Sequence, residues 1–133
     1  MSSVTSTSFI GNQWYPIIEA REVPSKRPLS LTRLGRRLVL WRGQGGEVRV
    51  HDAACPHRGA NLGLGKIDAS RGCLVCPYHG FAFGEDGACV GMPCEGSGAT
   101  IRRDMRLSMF PVREAHGLVW MWYGDGEPDE ELP

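Results

Sequence analysis

The chain has 133 residues, 15 of them basic and 15 acidic, with a mean hydropathy of −0.25. That balance gives no overall field for a polyanion, and the aromatics do not interleave with a basic stripe, so nucleic acid is excluded as a default partner. A domain of this length buries about two thirds of its unfolded surface and can fold without disulfide staples; five cysteines, an odd number, likewise suit a reducing compartment better than a paired secreted framework.

Eighteen glycines and nine prolines point to many turns and short strands rather than long helices. Residues 1–13 are expected to be a disordered leader, because the start is rich in Ser and Thr and carries no basic, apolar or Arg-rich targeting pattern. Trp14 to Ile18, interrupted by Pro16, reads as an edge strand. Leu29 to Leu34 and Leu38 to Arg42 are strand candidates turned at Gly35-Arg36. Gly43 to Gly46 then leads into Val48 to His51, which completes a three-stranded meander. Phe81 to Phe83 and Ala88 to Val90 form a small hairpin around Gly84-Glu85-Asp86-Gly87, followed by a loop at Gly91-Met92-Pro93. Leu107 to Arg113 and Leu118 to Trp122 are two further strands turned at Glu114 to Gly117, the second apolar on both faces like a core strand. The longest apolar run, Leu118 to Tyr123, is far short of the roughly 20 residues of a membrane helix, which makes a cytoplasmic protein with no membrane partner the default. Residues 125–133 carry five acids and no base and read as a solvated acidic tail.

Two stretches break the strand pattern: Cys55-Pro56-His57-Arg58-Gly59 and Cys76-Pro77-Tyr78-His79-Gly80. Cys-x-His followed by Cys-x-x-His supplies four ligands, with 18 residues (58 to 75) between the pairs. Four such ligands suit zinc or an iron–sulfur cluster. Structural zinc loops usually pair like with like, whereas each loop here supplies one cysteine and one histidine. Two mixed loops approaching from either side can place both thiolates on one iron and both imidazoles on another.

These residues resemble the Rieske [2Fe–2S] domains, and in particular the N-terminal domain of Rieske non-haem iron oxygenases. The likeness rests on Cys55-Pro-His57-Arg-Gly-Ala and Cys76-Pro-Tyr-His79-Gly-Phe, and extends to Trp14-Tyr15-Pro16 and to Gly117-Leu-Val-Trp-Met-Trp122. It implies an all-β, Rieske-type sandwich or small barrel over residues 14–124, with a cluster-binding subdomain of two ligand loops at about 53–93. It also implies a Rieske-type [2Fe–2S] cluster on Cys55, His57, Cys76 and His79. The connection between the pairs is slightly longer than the family's usual one, and the extra length is expected in a surface loop near Asp68 to Gly72. Two ferric ions, two sulfides and two thiolates sum to zero charge, so an added electron meets less repulsion than in an all-cysteine cluster. That is why mixed ligation raises the potential to roughly −150 to +300 mV, against about −400 mV for plant-type clusters. Respiratory members add a disulfide between the loops and a serine near the cluster; Ala60, Tyr78 and Phe81 stand at those positions here, so a potential near the lower end of the window is expected. His57 and His79 are expected to ligate as neutral imidazoles whose outer nitrogens face solvent or a partner.

The remaining candidates have plainer readings. Cys73 forms a Cys-x-x-Cys with Cys76 that invites a zinc-knuckle reading, but a packed strand thiol is the simpler account, as it is for Cys89 and Cys94. Tyr78, Phe81, Met92 and Pro93 read as packing that covers the site, Gly59 and Gly80 as turn residues that let backbone approach it, Arg58 as a surface arginine, and His51 and His116 as strand and turn histidines. Only those two histidines remain once four ligands are assigned, and no Asp/Glu-x-x-His-x4-His pattern occurs, so the chain holds no mononuclear iron site. With no dinucleotide or flavin motif, it must receive electrons from a reductase-type donor and pass them to an oxygenase centre. The expected function is therefore one-electron transfer as the cluster domain of, or a component serving, a ring-hydroxylating or demethylating oxygenase. A stand-alone Rieske ferredoxin-like carrier and a structural zinc-binding interaction module are the alternatives.

Overall fold

Leu38-Val39-Leu40-Trp41 is a run of four residues with no exposed surface, and a strand buried on both faces needs a core on each side. The computed structural model, which describes residues 11–56, 61–77, 80–91 and 105–133, supplies both. The described residues form strands β1 (Gln13–Glu19), β2 (Leu29–Arg33), β3 (Arg36–Arg42), β4 (Val48–Asp52), β5 (Lys66–Asp68), β6 (Cys73–Val75), β7 (Ala82–Phe83), β8 (Cys89–Gly91), β9 (Met109–Phe110), β10 (Val112–Ala115) and β11 (Leu118–Tyr123). They pair antiparallel in three sheets, ordered β1-β11-β10, β2-β3-β4-β9 and β5-β6-β7-β8. Two 3-10 turns, Ala20–Glu22 and Leu62–Leu64, are the only helical segments among the described residues.

The middle sheet is a shared wall. Leu38 and Leu40 enter a base-side core with Ile17, Val48, Val50, Val119 and Met121. Val39 and Trp41, on the alternate face, enter a second core with Leu62, Leu74, Phe81 and Phe83, over which the small β5–β8 sheet lies. Each of these fully buried side chains contributes about 1.5–3 kcal/mol relative to exposure, so β3 serves two cores with one segment.

The expected all-β architecture and the meander are observed, and three details differ. The β2–β3 turn falls one residue earlier, at Leu34-Gly35, with φ of 55° and 72°. Two positive φ values are the signature of the type I′ turn whose twist matches a two-residue hairpin, and this register seals Leu38 and Leu40 inside. Residues 107–113 do not make one strand: Pro111 splits them into β9, paired with β4, and β10, paired with β11. Lacking an N–H, proline cannot continue a ladder, and the chain changes sheets at that corner. Finally, the tail's acidic side chains are exposed as expected, but its backbone is tied down. Trp122 Nε1 donates to Gly126 O at 3.0 Å, Trp14 Nε1 donates to Asp129 O at 2.9 Å, and Arg113 donates to Glu130 O. The two indoles meet edge to face with centroids 5.5 Å apart. At the other end of the same sheet order, β1 is an edge strand, as Pro16 requires, and its pairing with β11 shifts between Pro16 and Ile18.

The turns of the small sheet, at the ends away from the ligand loops, are latched to the middle sheet. Gln44, in the β3–β4 turn, donates through Nε2 to Ala69 O (3.3 Å) and Ser70 O (3.1 Å), the exposed β5–β6 turn in which the extra length was expected. Its backbone N–H donates to Glu85 Oε2 at 2.9 Å, and Arg49 of β4 donates to Glu85 Oε1 from Nη2 (2.9 Å) and Nε (3.2 Å). The Glu85 carboxylate packs against Gly43 so closely that a Cβ there would lie 2.0 Å from Oε1. The Gln44 N–H, followed by Arg49, holds the Glu85 carboxyl below its ordinary range. A depressed folded-state pKa contributes stability above the unfolded value of about 4.5 that is lost as pH falls through the folded value. Glu85→Gln is expected to cost about 1–2 kcal/mol at pH 7, read by urea denaturation, and that deficit should shrink on acidification as the native carboxyl itself takes up a proton.

On the wall between the cores, His51 has no exposed surface. Trp41 Nε1–H donates to His51 Nε2 at 3.0 Å, so the ring's proton sits on Nδ1, which donates to Asp52 O at 2.8 Å. Burial pushes the imidazole pKa down to about 4, only partly offset by Asp52. Between pH 6.5 and 4 the unfolded chain takes up a proton that the folded one refuses, so about 3 kcal/mol of stability is lost on acidification through that window. His51→Gln keeps an acceptor for Trp41 and removes the proton; the difference in urea midpoint between pH 7 and pH 4.5 should shrink in this variant, and equal differences in the two proteins would refute the assignment.

Candidate iron–sulfur centre

The loop after β4 and the loop after β6 are each pinched at the base by backbone hydrogen bonds. Leu62 N–H donates to Ala53 O at 2.8 Å and Ala54 bridges Asn61, which closes the first loop around residues 55–60. Cys76 N–H donates to Phe81 O at 2.7 Å and Gly80 N–H to Cys76 O at 3.1 Å, which closes the second around 77–79. Gly80 takes φ of 73°, a conformation costly for any residue with a Cβ. Cys55 follows the first closing bridge and Cys76 makes the second, so each cysteine stands where its loop leaves the sheet.

Both are buried, at 3% exposure, in one core with Trp41, Phe81 and Phe83. Two thiols from sequence-distant loops, in one apolar enclosure with aromatic neighbours, are of the donor type that a soft metal takes. They fit the thiolate side of a two-iron cluster, and Phe81 packs in the same core. His57 and His79, the other two expected ligands, lie outside the described residues, as do Arg58, Gly59, Ala60, Tyr78, Met92, Pro93 and Cys94.

The other described candidates have separate places. Leu74 turns into the core that holds Cys76, and its neighbour Cys73 therefore points to the opposite side of β6. Burial pushes the Cys73 thiol up, with Arg71 opposing, and it packs as a buried strand thiol on the side of β6 away from Cys76. Cys89 shares the core, and its Sγ–H donates to Gly91 O at 3.5 Å. His51 is committed to Trp41 and Asp52, and His116 is an exposed residue of the β10–β11 turn with φ of 57°. Both keep the strand and turn roles expected of them. The sequence reading missed the Gln44–Glu85–Arg49 latch and the Trp41–His51 pair; Glu85 lies 36 residues from Arg49 and 41 from Gln44, and no local pattern marks such partners.

Comparison with known proteins agrees with this geometry. The Rieske [2Fe-2S] domain family matches residues 13–111. The chain is 36% identical over 121 residues to the 3-chlorobenzoate-3,4-dioxygenase oxygenase subunit of Comamonas testosteroni, covering 90% of this chain and 28% of that protein. Among solved structures, apo dicamba monooxygenase superposes with a TM-score of 0.80 at 37% identity, over 88% of this chain and 35% of that one. The oxygenase–ferredoxin complex of carbazole 1,9a-dioxygenase gives 0.76 at 28% identity, over 89% and 30%. The chain thus spans about a third of the length of these proteins. Its fold, its buried cysteine pair and these matches lead to one assignment: the chain belongs to the Rieske [2Fe–2S] domain family, whose members transfer electrons through a Rieske-type [2Fe–2S] cluster.

Proposed function

We propose that this chain relays one electron at a time from a protein donor to the catalytic iron of a ring-hydroxylating or demethylating oxygenase, as that enzyme's cluster domain. The observation that carries it is the convergence of Cys55 and Cys76, each at the pinched base of its own loop, in one buried core. In this reading Cys55 and Cys76 would hold the cluster together with His57 and His79. When bound, the cluster supplies a one-electron couple of roughly −150 to +300 mV. The chain's own residues do the rest. The closing hydrogen bonds fix where the thiolates stand, Phe81 and Trp41 exclude water, and His51, locked as a neutral tautomer, keeps an ionisable charge out of the adjoining wall.

Catalysis on an organic substrate needs residues beyond these 133, since once two of the four histidines ligate and His51 is committed to Trp41 only His116 is left, short of the two histidines a mononuclear iron site takes. The much longer oxygenase relatives support the cluster-domain reading over a stand-alone carrier. No described helix is long and apolar enough to cross a membrane. A reducing compartment, the cytoplasm by default, suits the unpaired buried thiols of Cys73 and Cys89.

Anaerobically purified protein is expected to be brown, with two irons and two acid-labile sulfides per chain and a midpoint potential near the lower end of the Rieske window; a value above about +100 mV would contradict the low-potential assignment. Cys76→Ser and His79→Ala should each lose the visible absorption and most of the iron. A colourless wild type with stoichiometric zinc would instead establish the interaction-module alternative.

A further inference from the structure

Overall neutrality hides a local charge pattern. From Val23 to Gly46 the sequence has six bases (Lys26, Arg27, Arg33, Arg36, Arg37 and Arg42) and no acid. This segment is the β2–β3 hairpin with its flanks, and β2 is the edge of the middle sheet. Several of these charges are already engaged. Arg42 donates to Ala20 O, Val23 O and Gly46 O and pairs with Glu114. Arg36 pairs with Asp52 at 3.1 Å and lies over the Phe110 ring, and Arg33 donates to Ile17 O. Lys26, Arg27 and Arg37 are exposed, and no carboxylate among the described residues pairs with them.

Arg37 has the most consequential place. Alternate residues share a face of a strand, so Arg37 lies on the same side of β3 as Val39 and Trp41, which enter the core of the cysteine pair. Its carbonyl accepts Ala53 N–H at 3.0 Å, at the start of the first ligand loop. A groove of about 350 Å³ opens there, lined by Arg36, Arg37, Asp52, Ala53, Ala54 and Asn61. The 3-10 turn that follows Asn61 packs on the same hairpin, for a Cβ at Gly63 would lie 1.6 Å from Ser30 Oγ of β2. That turn ends in Leu64, 74% exposed and the most exposed large hydrophobic among the described residues.

We propose that Arg37 and Leu64 form the docking point for an acidic redox protein that donates the electron, with Lys26 and Arg27 extending the attractive field along the hairpin. The proposal rests on the electron-relay reading and adds to it the entry surface and the chemistry of the donor. An uncompensated cation and an exposed apolar side chain at the two ends of the first ligand loop suit a partner that must arrive fast and leave: charge at a rim raises the association rate, and a small apolar contact holds the encounter only briefly. The chain's own acidic segment in a second copy is the competing occupant. It is the weaker one, because its backbone is tied to Trp14, Trp122 and Arg113 on the outer sheet.

Stopped-flow reduction of the oxidised holoprotein by a reduced plant-type [2Fe–2S] ferredoxin, an acidic low-potential probe, tests this. A photogenerated neutral deazaflavin radical serves as the control reductant. The wild-type rate with ferredoxin should fall about ten-fold between about 20 mM and about 300 mM salt. Arg37→Glu should lower the low-salt rate about ten-fold and flatten the salt dependence, while Arg37→Lys retains most of it. Leu64→Ser should slow the reaction at every salt concentration. All variants should match wild type with the deazaflavin radical and in midpoint potential. An Arg37→Glu rate within about two-fold of wild type overturns the proposal, as does a salt-dependent self-association of the wild type that Arg37→Glu abolishes without changing ferredoxin reduction. Failure of the wild type to bind iron or to be reduced by the deazaflavin radical is a different result, since it removes the electron-relay reading itself.

Discussion

The four-residue run Leu38 to Trp41 has to satisfy two cores at once, and the rest of the molecule follows from that requirement. A strand buried on both faces cannot slip by one residue without exchanging Leu38 and Leu40 for Val39 and Trp41, which would unmake both enclosures together. The register is therefore among the most strongly specified features of the chain. It fixes where β4 ends, and the end of β4 fixes where Cys55 begins. The site inherits its position from packing that contains no ligand at all.

Among the described residues, the buried interior of the same wall holds no charged side chain. Where an ionisable side chain does occur in that interior, at His51, desolvation keeps it neutral against the opposing pull of Asp52, and two hydrogen bonds occupy both nitrogens. Charge is instead kept on the more exposed side chains, in the Arg49–Glu85 pair, the Arg36–Asp52 pair and the exposed arginines of the hairpin. For a centre whose function is to change its own charge by one unit, a neutral and rigid neighbour is a suitable one, since it neither titrates along with the electron nor reorients around it.

Much of this was legible in the residues. The ligand loops announced themselves by spacing, and strand order within each hairpin followed from alternation and turn glycines. What escaped had a physical reason in each case. The β2–β3 turn was displaced by one residue because Gly35 serves as the second turn position, and the demand of the cores for Leu38 and Leu40 placed Leu34 in the left-handed region. Pro111 looked like an interruption within a strand and proved to be a change of sheet, a distinction that depends on which partner lies on either side. The tail's charges gave no sign of the indole N–H groups that hold its backbone. The latch on Glu85 joins turns some forty residues apart, and only the three-dimensional stacking of sheets brings them together.

The latch also bears on how the small sheet moves. Its turns are fastened to the wall through Gln44 and Glu85, and its opposite end is cinched by the loop-closing hydrogen bonds beside Cys76 and Leu62. A plate clamped along two opposite margins bends far less than one hinged along a single margin. The Gln44 and Glu85 clamp therefore stiffens the sheet that carries the second ligand loop, although it stands at the opposite end of its strands.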